Sequence, residues 1–314
     1  MSSTSDSVWP ALPYDEWRET CSTLHLWTQV VGKIRLARTP WLNHSWHVPF
    51  YVSARGLTTS PIAHGSRTFE ILFDFCRHTL EIDVSDGSGR RMPLRPQSVA
   101  DFHAQLMNAL DELELSVAIN TFPCEIANAV HFDRDEIHRA YDAGAARRFF
   151  EVLVQVDRVF KRFRTGFLGK ASPVHFFWGS FDLAVTRFSG RAAPAFEGSI
   201  PGLASDVMRE AYSHEVSSAG FWPGGNGVDY PCFFSYQYPV IESFKQAPVQ
   251  PEGAFFSATL GEFLLPYDIV RTSPDPDATL LAFLQSTYEA AARASQWDRA
   301  ALECPFGKLG RPND

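Results

Sequence analysis

Two blocks in the C-terminal half of the chain hold most of the residues that could do chemistry. The first runs from His175 to Arg191 and sets a histidine, an aspartate and two arginines among aromatic and aliphatic residues. The second contains His214 and Glu215 and ends at Gly225. Polar groups within strongly apolar strands are costly unless they are paired, so they usually have a structural or chemical reason. These two blocks are therefore the candidate site.

The residue types in both blocks are those of acid–base catalysis. A histidine that is oriented by a carboxylate can act as a general base, and an arginine can hold an anionic group of a substrate with its planar fork. We therefore predict a catalytic set that consists of His175, Asp182, Arg187, His214 and Glu215. The structural alternative, in which these side chains pair with one another or with the backbone inside a polar seam of the core, stays open.

The two histidines raise the question of a metal. Neutral imidazole and carboxylate ligands suit a divalent transition metal such as zinc, iron or manganese, which makes His175 and His214 candidate ligands. The spacing does not enforce such a site, because His214 and Glu215 are neighbours in a strand and point to opposite faces. No cofactor is identified by the sequence.

A second set of residues could line a ligand pocket. Tyr236 and Tyr238 share one face of a predicted strand with Phe234, so their hydroxyl groups could bind a ligand at the end of a pocket. The same face could equally be an edge of the core. The predicted ligand-binding residues are Trp178, Arg191, Trp222, Tyr236 and Tyr238.

Composition excludes several classes of protein and partner. The formal net charge of −8 argues against a nucleic-acid partner, because phosphate binding needs a concentrated basic face. No apolar run approaches the roughly 20 residues that span a membrane. The five cysteines are widely spaced without a Cys-x-x-Cys pair, which favours a reduced, cytoplasmic protein. Phosphate-loop, dinucleotide-binding, nucleophile-elbow and zinc-protease motifs are missing from the sequence.

The elements that must position these residues are mainly strands. Apolar and polar residues alternate with the period of two that is typical of half-buried strands. In the N-terminal half this predicts strands at 46–53, 69–76, 78–84 and 116–122, with a hairpin turn at 86–89. In the C-terminal half it predicts strands at 174–178, 181–188, 212–221, 232–238, 254–258 and 262–270.

Helices are predicted between and after the strands. Ser98 is a helix cap before an apolar stripe, and Asp133 with Glu136 has the form of a capping box that opens a longer helical region. Pro276 follows Asp275 at the first position of a final helix. A short helix is expected around 14–19.

Segregated strands and helices predict an α+β fold with mainly antiparallel sheets. We expect two β-rich halves, each with an amphipathic helix, at 9–130 and 171–304, joined by a helical connector at 131–170. One continuous domain over the same residues is the alternative.

Four blocks of the sequence resemble a bacterial family of unknown function. They are the runs 9–14, 46–51, 175–191 and 214–224, that is WPALPY, WHVPFY, HFFWGSFDLAVTRFSGR and HEVSSAGFWPG. The resemblance covers nearly the full length and implies a soluble bacterial protein. It implies no activity, cofactor or catalytic residue.

The favoured hypothesis is a small-molecule enzyme whose site lies in the C-terminal half, near the interface of the halves. The alternative is a non-catalytic binding protein for an apolar or aromatic ligand. A third is an interaction protein whose aromatic patches are buried at an oligomer interface, and the oligomeric state itself is left open.

Overall fold

The computed structural model describes residues 8–225 and 227–308. Over these residues the chain forms eight α-helices and twelve strands. The helices are α1 (Tyr14–Arg38), α2 (Val99–Glu112), α3 (Ala143–Arg164), α4 (Ser205–Ala211), α5 (Glu242–Lys245), α6 (Tyr267–Arg271), α7 (Pro276–Ala294) and α8 (Arg299–Leu302).

The strands form two antiparallel sheets, which confirms the α+β prediction. The first sheet has the order β1-β2-β4-β5-β6, with β3 paired to β4, and the second has the order β11-β12-β10-β9-β8-β7. The strands of the first sheet are β1 (Tyr51–Val52), β2 (Gly56–Thr58), β3 (Ile62–His64), β4 (Arg67–Asp74), β5 (Thr79–Val84) and β6 (Gly89–Pro93). Those of the second are β7 (His175–Phe177), β8 (Asp182–Ala192), β9 (His214–Trp222), β10 (Cys232–Tyr238), β11 (Phe255–Ser257) and β12 (Glu262–Pro266).

One hydrophobic core contains residues of both sheets and of the long helices between them. Phe50 and Phe176 also join the sheets through their backbones, since the N–H of each donates to the carbonyl of the other at 2.8 Å. Neither residue belongs to the predicted connector at 131–170. Residues of the segments 9–130 and 171–304 therefore contact each other directly as well as through α3.

Helix α1 is much longer than the short helix that we expected. Its buried side chains lie on every side of the helix, from Trp17 to Arg35, because other elements surround it. Such a helix has no single apolar stripe, so its sequence lacks the period that identifies a surface helix.

The segment between α2 and α3 was predicted wrongly. Residues 116–122 form an irregular segment instead of a strand, and the capping box is followed by a short 3-10 turn at Phe132–Arg134. Asp135 accepts hydrogen bonds from two backbone amides of this segment at 3.0 and 3.1 Å, which stabilises a turn. Helix α3 begins only at Ala143, where Asp142 is the cap.

Other boundaries agree or move by a few residues. Ser98 and Asp275 cap α2 and α7 as predicted, and the hairpin at 86–89 joins β5 to β6. The strand expected at 46–53 is reduced to β1, and the strand expected at 262–270 ends at Pro266, where α6 follows. Among the described residues, none of the helices is long and apolar enough to cross a membrane.

Candidate functional site

The two faces of the second sheet have different surroundings. The inner face packs into the main core through side chains such as Leu183, Phe221 and Leu265. The outer face has a small separate apolar cluster of Val228, Cys232, Phe234 and Leu264. Because neighbouring residues of a strand alternate between faces, Asp182, Thr186, Ser218, Tyr236 and Glu262 all belong to the outer face.

Three carboxyl groups lie near enough on this side of the sheet for Asp182 to raise the pKa of the other two, and we call them the carboxyl cluster: Glu125, Asp182 and Glu262. Asp182 is 4 % exposed and accepts a hydrogen bond from the Ser180 hydroxyl. Glu262 is 7 % exposed and has no side-chain hydrogen bond or ion pair within the described ranges 8–225 and 227–308. Glu125 lies in the loop before α3, where its backbone N–H donates to Pro201 O at 2.8 Å.

The pKa of each carboxyl in the cluster lies near neutrality. Burial raises the pKa of Asp182 to about 7. Burial, followed by the negative charge of Asp182, raises the pKa of Glu125 to about 7 and that of Glu262 to about 8. No cation among the described residues opposes these shifts. The cluster therefore gains and loses protons in the neutral range.

Three tyrosines lie on or over the outer face, and two of them, Tyr212 and Tyr236, are near the carboxyl cluster. Tyr212 OH donates to Tyr236 OH at 3.3 Å, and Tyr238 OH donates to Pro194 O at 2.9 Å. Burial raises the pKa of Tyr236, and the charges of Asp182 and Glu262 raise it further. Thr186 and Ser218 add two hydroxyl groups, which lie 2.8 Å apart on adjacent strands. The wall of the site is thus aromatic, with hydroxyl groups available for hydrogen bonds.

Helix α1 positions the loop that carries Glu125. The amide side chain of Gln29 accepts from Cys124 N–H at 2.9 Å and donates to Cys124 O at 2.8 Å. One turn earlier, His25 Nε2 donates to Gly179 O at 2.7 Å. Because burial lowers the pKa of His25 to about 4, this histidine is neutral and adds no positive charge. The same helix therefore fixes the loop before Glu125 and the turn before Asp182.

The residue before β8 has a strained backbone conformation. Phe181 has a φ of 58°, a left-handed conformation that is unfavourable for a residue with a side chain. Its neighbour Asp182 begins the strand, and Ser180 donates to it across the turn. Strained residues of this kind often lie at functional sites, where the surrounding structure holds them.

A small cavity lies next to the turn that precedes Asp182. Its volume is 100 Å³, and its lining includes Ser180, Phe181, Trp222, Gly224 and Tyr14 but none of the three carboxyl residues. A wider groove of 960 Å³ lies elsewhere, between the N-terminal segment and α3. Its lining includes Arg147 and Glu151, which are paired with each other at 2.7 Å, so we do not assign the site to it.

The structure separates the predicted catalytic residues. His175 is 1 % exposed, its Nδ1 donates to Pro173 O at 2.7 Å, and burial lowers its pKa to about 4. Glu215 pairs with Arg191 at 2.7 Å, away from the carboxyl cluster. Only Asp182 of the predicted set belongs to the cluster.

Arg187 is buried on the inner face and cannot reach a substrate on the outer face. Its guanidinium carbon lies 3.5 Å from the centroid of the Phe163 ring and 4.3 Å from that of Tyr288. The expected pair with Asp182 or Glu215 does not form. Asp182 points to the opposite face, and Glu215, which shares the inner face by alternation, pairs with Arg191. Burial lowers the pKa of Arg187 to about 9.

His214 lies at the far end of the outer face, in a second polar group. Its ring is 6.1 Å from that of His44, whose Nε2 accepts from Lys170 Nζ at 2.7 Å. Glu210 accepts from the backbone N–H of His44 at 2.7 Å. His214 and His175 thus have separate environments. Among the described residues, no three His, Cys, Asp or Glu side chains are arranged to hold a metal ion.

Of the five predicted ligand-binding residues, three lie on the outer face of the second sheet and two do not. Trp222, Tyr236 and Tyr238 lie on the outer face, where Tyr236 contacts the ring of Phe234 at 6.2 Å. Trp178 is a core residue that donates to Val48 O at 2.9 Å. Arg191 is held by Glu215.

Three residues of this candidate site were not among the predicted residues: Glu125, Glu262 and Tyr212. A carboxylate at the start of an apolar strand was the available signal for Glu262, because such a residue is polar on a face that should be buried. No local pattern identifies Glu125, since it lies in an irregular loop.

A comparison with known protein families identifies the family of this chain. Residues 9–304 match DUF5996, a family of unknown function, so the chain belongs to that family. No curated protein and no solved structure matches the chain.

Proposed function

We propose that this member of the DUF5996 family is a small-molecule enzyme that carries out general acid–base catalysis on the outer face of the second sheet. The observation that supports this function is the carboxyl cluster, whose three groups titrate near neutrality without a cationic partner in the described part of the chain. Structural carboxylates are usually paired or exposed, whereas catalytic ones are often buried with a pKa near the working pH.

The surroundings suggest a role for each group. Asp182 accepts from Ser180, which stabilises its ionised form, so it is the general base. Burial raises the pKa of Glu262, and no side-chain hydrogen bond within the described residues stabilises its ionised form, so it is the general acid. Glu125 completes the site from the opposite loop. Tyr212 and Tyr236 would orient the substrate through their hydroxyl groups.

The charge of the site restricts its partners. Three carboxyl groups repel phosphates and other anions, which argues against nucleic acid as a substrate. A small molecule that binds on the outer face, near Asp182 and Glu262, is the proposed substrate. We place the protein in the reducing cytoplasm, a proposal that its five free cysteines support.

A non-catalytic binding protein is the second candidate. It is favoured by the apolar cluster of the outer face, where Trp222 lies 4.5 Å from Phe234 and both pack beside Leu264. In that case the aromatic wall would hold an apolar ligand and the carboxyl cluster would only orient it.

The two candidates are separated by turnover. Purified protein is incubated with a metabolite mixture in water enriched in ¹⁸O or deuterium, and label incorporation is followed by mass spectrometry. Both hydrolysis and proton abstraction transfer label to the product. We expect incorporation with the wild type and its loss in Asp182→Asn and Glu262→Gln.

The matched control is Asp157→Asn. Asp157 is also buried with a raised pKa, but it lies on α3 and pairs with Lys161 at 2.6 Å. This variant should keep the activity. Ligand binding without label incorporation at any pH between about 6 and 9 would favour the non-catalytic protein instead.

A further inference from the structure

We infer that the carboxyl cluster and the tyrosines around it recognise a protonated primary amine carried on an aromatic group. The inference rests on the proposed function, since it names the substrate class of the same site. It is carried by the uncompensated carboxyls, by the aromatic wall and by the unpartnered side chain of Glu262.

The site lacks a positive charge that its carboxyls require once they ionise. Glu262 is 7 % exposed, yet it has no hydrogen bond or ion pair within the described residues. The charged side chain that shifts its pKa is Asp182, whose charge has the same sign. A buried carboxylate without a partner is strongly unfavourable, so the carboxyl keeps its proton until a cation enters the site and stabilises the ionised form.

An ammonium group meets this requirement. It has three N–H donors, and the Glu262 carboxylate and the hydroxyl oxygens of Tyr212 and Tyr236 beside it are acceptors for them. Asp182 adds a second negative charge nearby, and the rest of the ligand lies against the outer face.

An aromatic wall continues from the carboxyl cluster along the outer face. Phe196 stacks on Tyr212 with ring centroids 4.7 Å apart, and Tyr212 lies 5.0 Å from Tyr238. On the other side, Phe234 stacks on Tyr236 at 6.2 Å. Aromatic faces attract cations and also stack on aromatic ligands. This wall therefore favours an organic cation. A metal ion is disfavoured, because no three His, Cys, Asp or Glu side chains of the described residues are arranged to hold one.

The experiment compares three probes that share one ring and differ in charge. Tyramine carries an ammonium group, tyrosol carries a hydroxyl at the same place, and 4-hydroxyphenylacetate carries a carboxylate. Binding is measured by isothermal titration calorimetry at pH 7. We expect tyramine to bind at least tenfold more tightly than tyrosol, and 4-hydroxyphenylacetate not to bind. Benzylamine and tryptamine, each with its alcohol analogue, test how far the result depends on the ring.

The proton balance of binding gives a second readout. At pH 7 the cluster holds protons, and a bound ammonium favours the ionised carboxyls, so protons are released on binding. Titrations in two buffers of different ionisation enthalpy measure their number. Glu262→Gln should weaken tyramine at least tenfold and release fewer protons, whereas Asp157→Asn should leave both unchanged. Thermal unfolding of each variant checks that it is folded.

The outcomes separate the inference from the function on which it rests. Equal binding of amine and alcohol, or no binding by any of the amines, overturns the inference. Label incorporation into a neutral substrate in the isotope experiment, without amine binding, also overturns it but leaves the acid–base function standing. Selective amine binding with proton release and without any turnover supports the ligand class and contradicts the enzyme.

Discussion

Glu125 and Gly179 approach so closely that a Cβ atom on Gly179 would lie 2.2 Å from Glu125 Oε1. The glycine comes from the turn before β8, and the glutamate comes from the loop before α3. The absence of a side chain at residue 179 therefore lets the third carboxyl reach the outer face.

This contact predicts the effect of Gly179→Ala. The new methyl group would push the flexible end of Glu125 away, and flexible ends move cheaply. We expect a change of less than about 1 kcal/mol in the free energy of unfolding, but a clear loss of turnover or of tyramine affinity. Urea denaturation and calorimetry measure the two effects. Equal activity of wild type and variant would mean that Glu125 has no part in the site.

Gln29→Ala should disturb both the fold and the site. Gln29 is fully buried and satisfies the N–H and the carbonyl of Cys124. Alanine leaves both groups unpaired, and each unsatisfied buried group costs about 1–3 kcal/mol. We expect a loss of about 2–4 kcal/mol in urea denaturation. Gln105→Ala, at an exposed position of α2, is the control and should change stability by less than about 0.5 kcal/mol.

The carboxyl cluster predicts that stability falls as the pH rises. The folded pKa values of about 7 to about 8 for Asp182 and Glu262 lie above the unfolded values of about 4. Between these limits the folded state binds more protons than the unfolded state, so the free energy of unfolding decreases with pH. We expect this decrease between about pH 5 and pH 8.

Asp182→Asn tests the origin of that decrease. The variant cannot ionise, so it should match the wild type near about pH 4 and exceed it by about 1 kcal/mol or more at pH 8, since one pKa unit is about 1.4 kcal/mol. Urea denaturation at several pH values measures this. Asp206→Asn, on the exposed side of α4, should keep the slope of the wild type. Parallel curves for Asp182→Asn and wild type would show that Asp182 ionises normally.

Arg187 offers a test of the original catalytic prediction. Its Nη2 donates to Phe163 O, whereas its Nε and Nη1 have no hydrogen-bond partner in the described structure, although the side chain is 1 % exposed. Replacing a buried charge that has no close ion pair by an apolar group of similar size is often neutral, so Arg187→Met should change stability by less than about 2 kcal/mol and keep full activity. Arg187→Ala leaves a cavity and should cost about 2–5 kcal/mol. Loss of turnover in a stably folded Arg187→Met variant would show that Arg187 takes part in catalysis.

Much of the fold follows from local patterns. The alternation in 232–238 predicts β10 with its observed bounds, and Ser98 and Asp275 identify two helix starts. Such signals work because side-chain alternation and helix capping depend on neighbouring residues. Where the environment is set by distant residues, as in the fully surrounded helix α1, the same reasoning failed.

The sequence by itself determined the α+β class, the antiparallel strands and the strand face that Tyr236 and Tyr238 share with Phe234. Only the tertiary structure decided which carboxyls lie near Tyr236. Gln29 fixes Cys124, 95 residues away, and so places Glu125 beside Gly179. Residues far away in the chain also decide the environments of His175 and Arg187. Burial keeps His175 neutral, and aromatic rings enclose Arg187. Alternation fixes the face of a side chain, but its neighbours across the fold depend on packing between elements far apart in the chain.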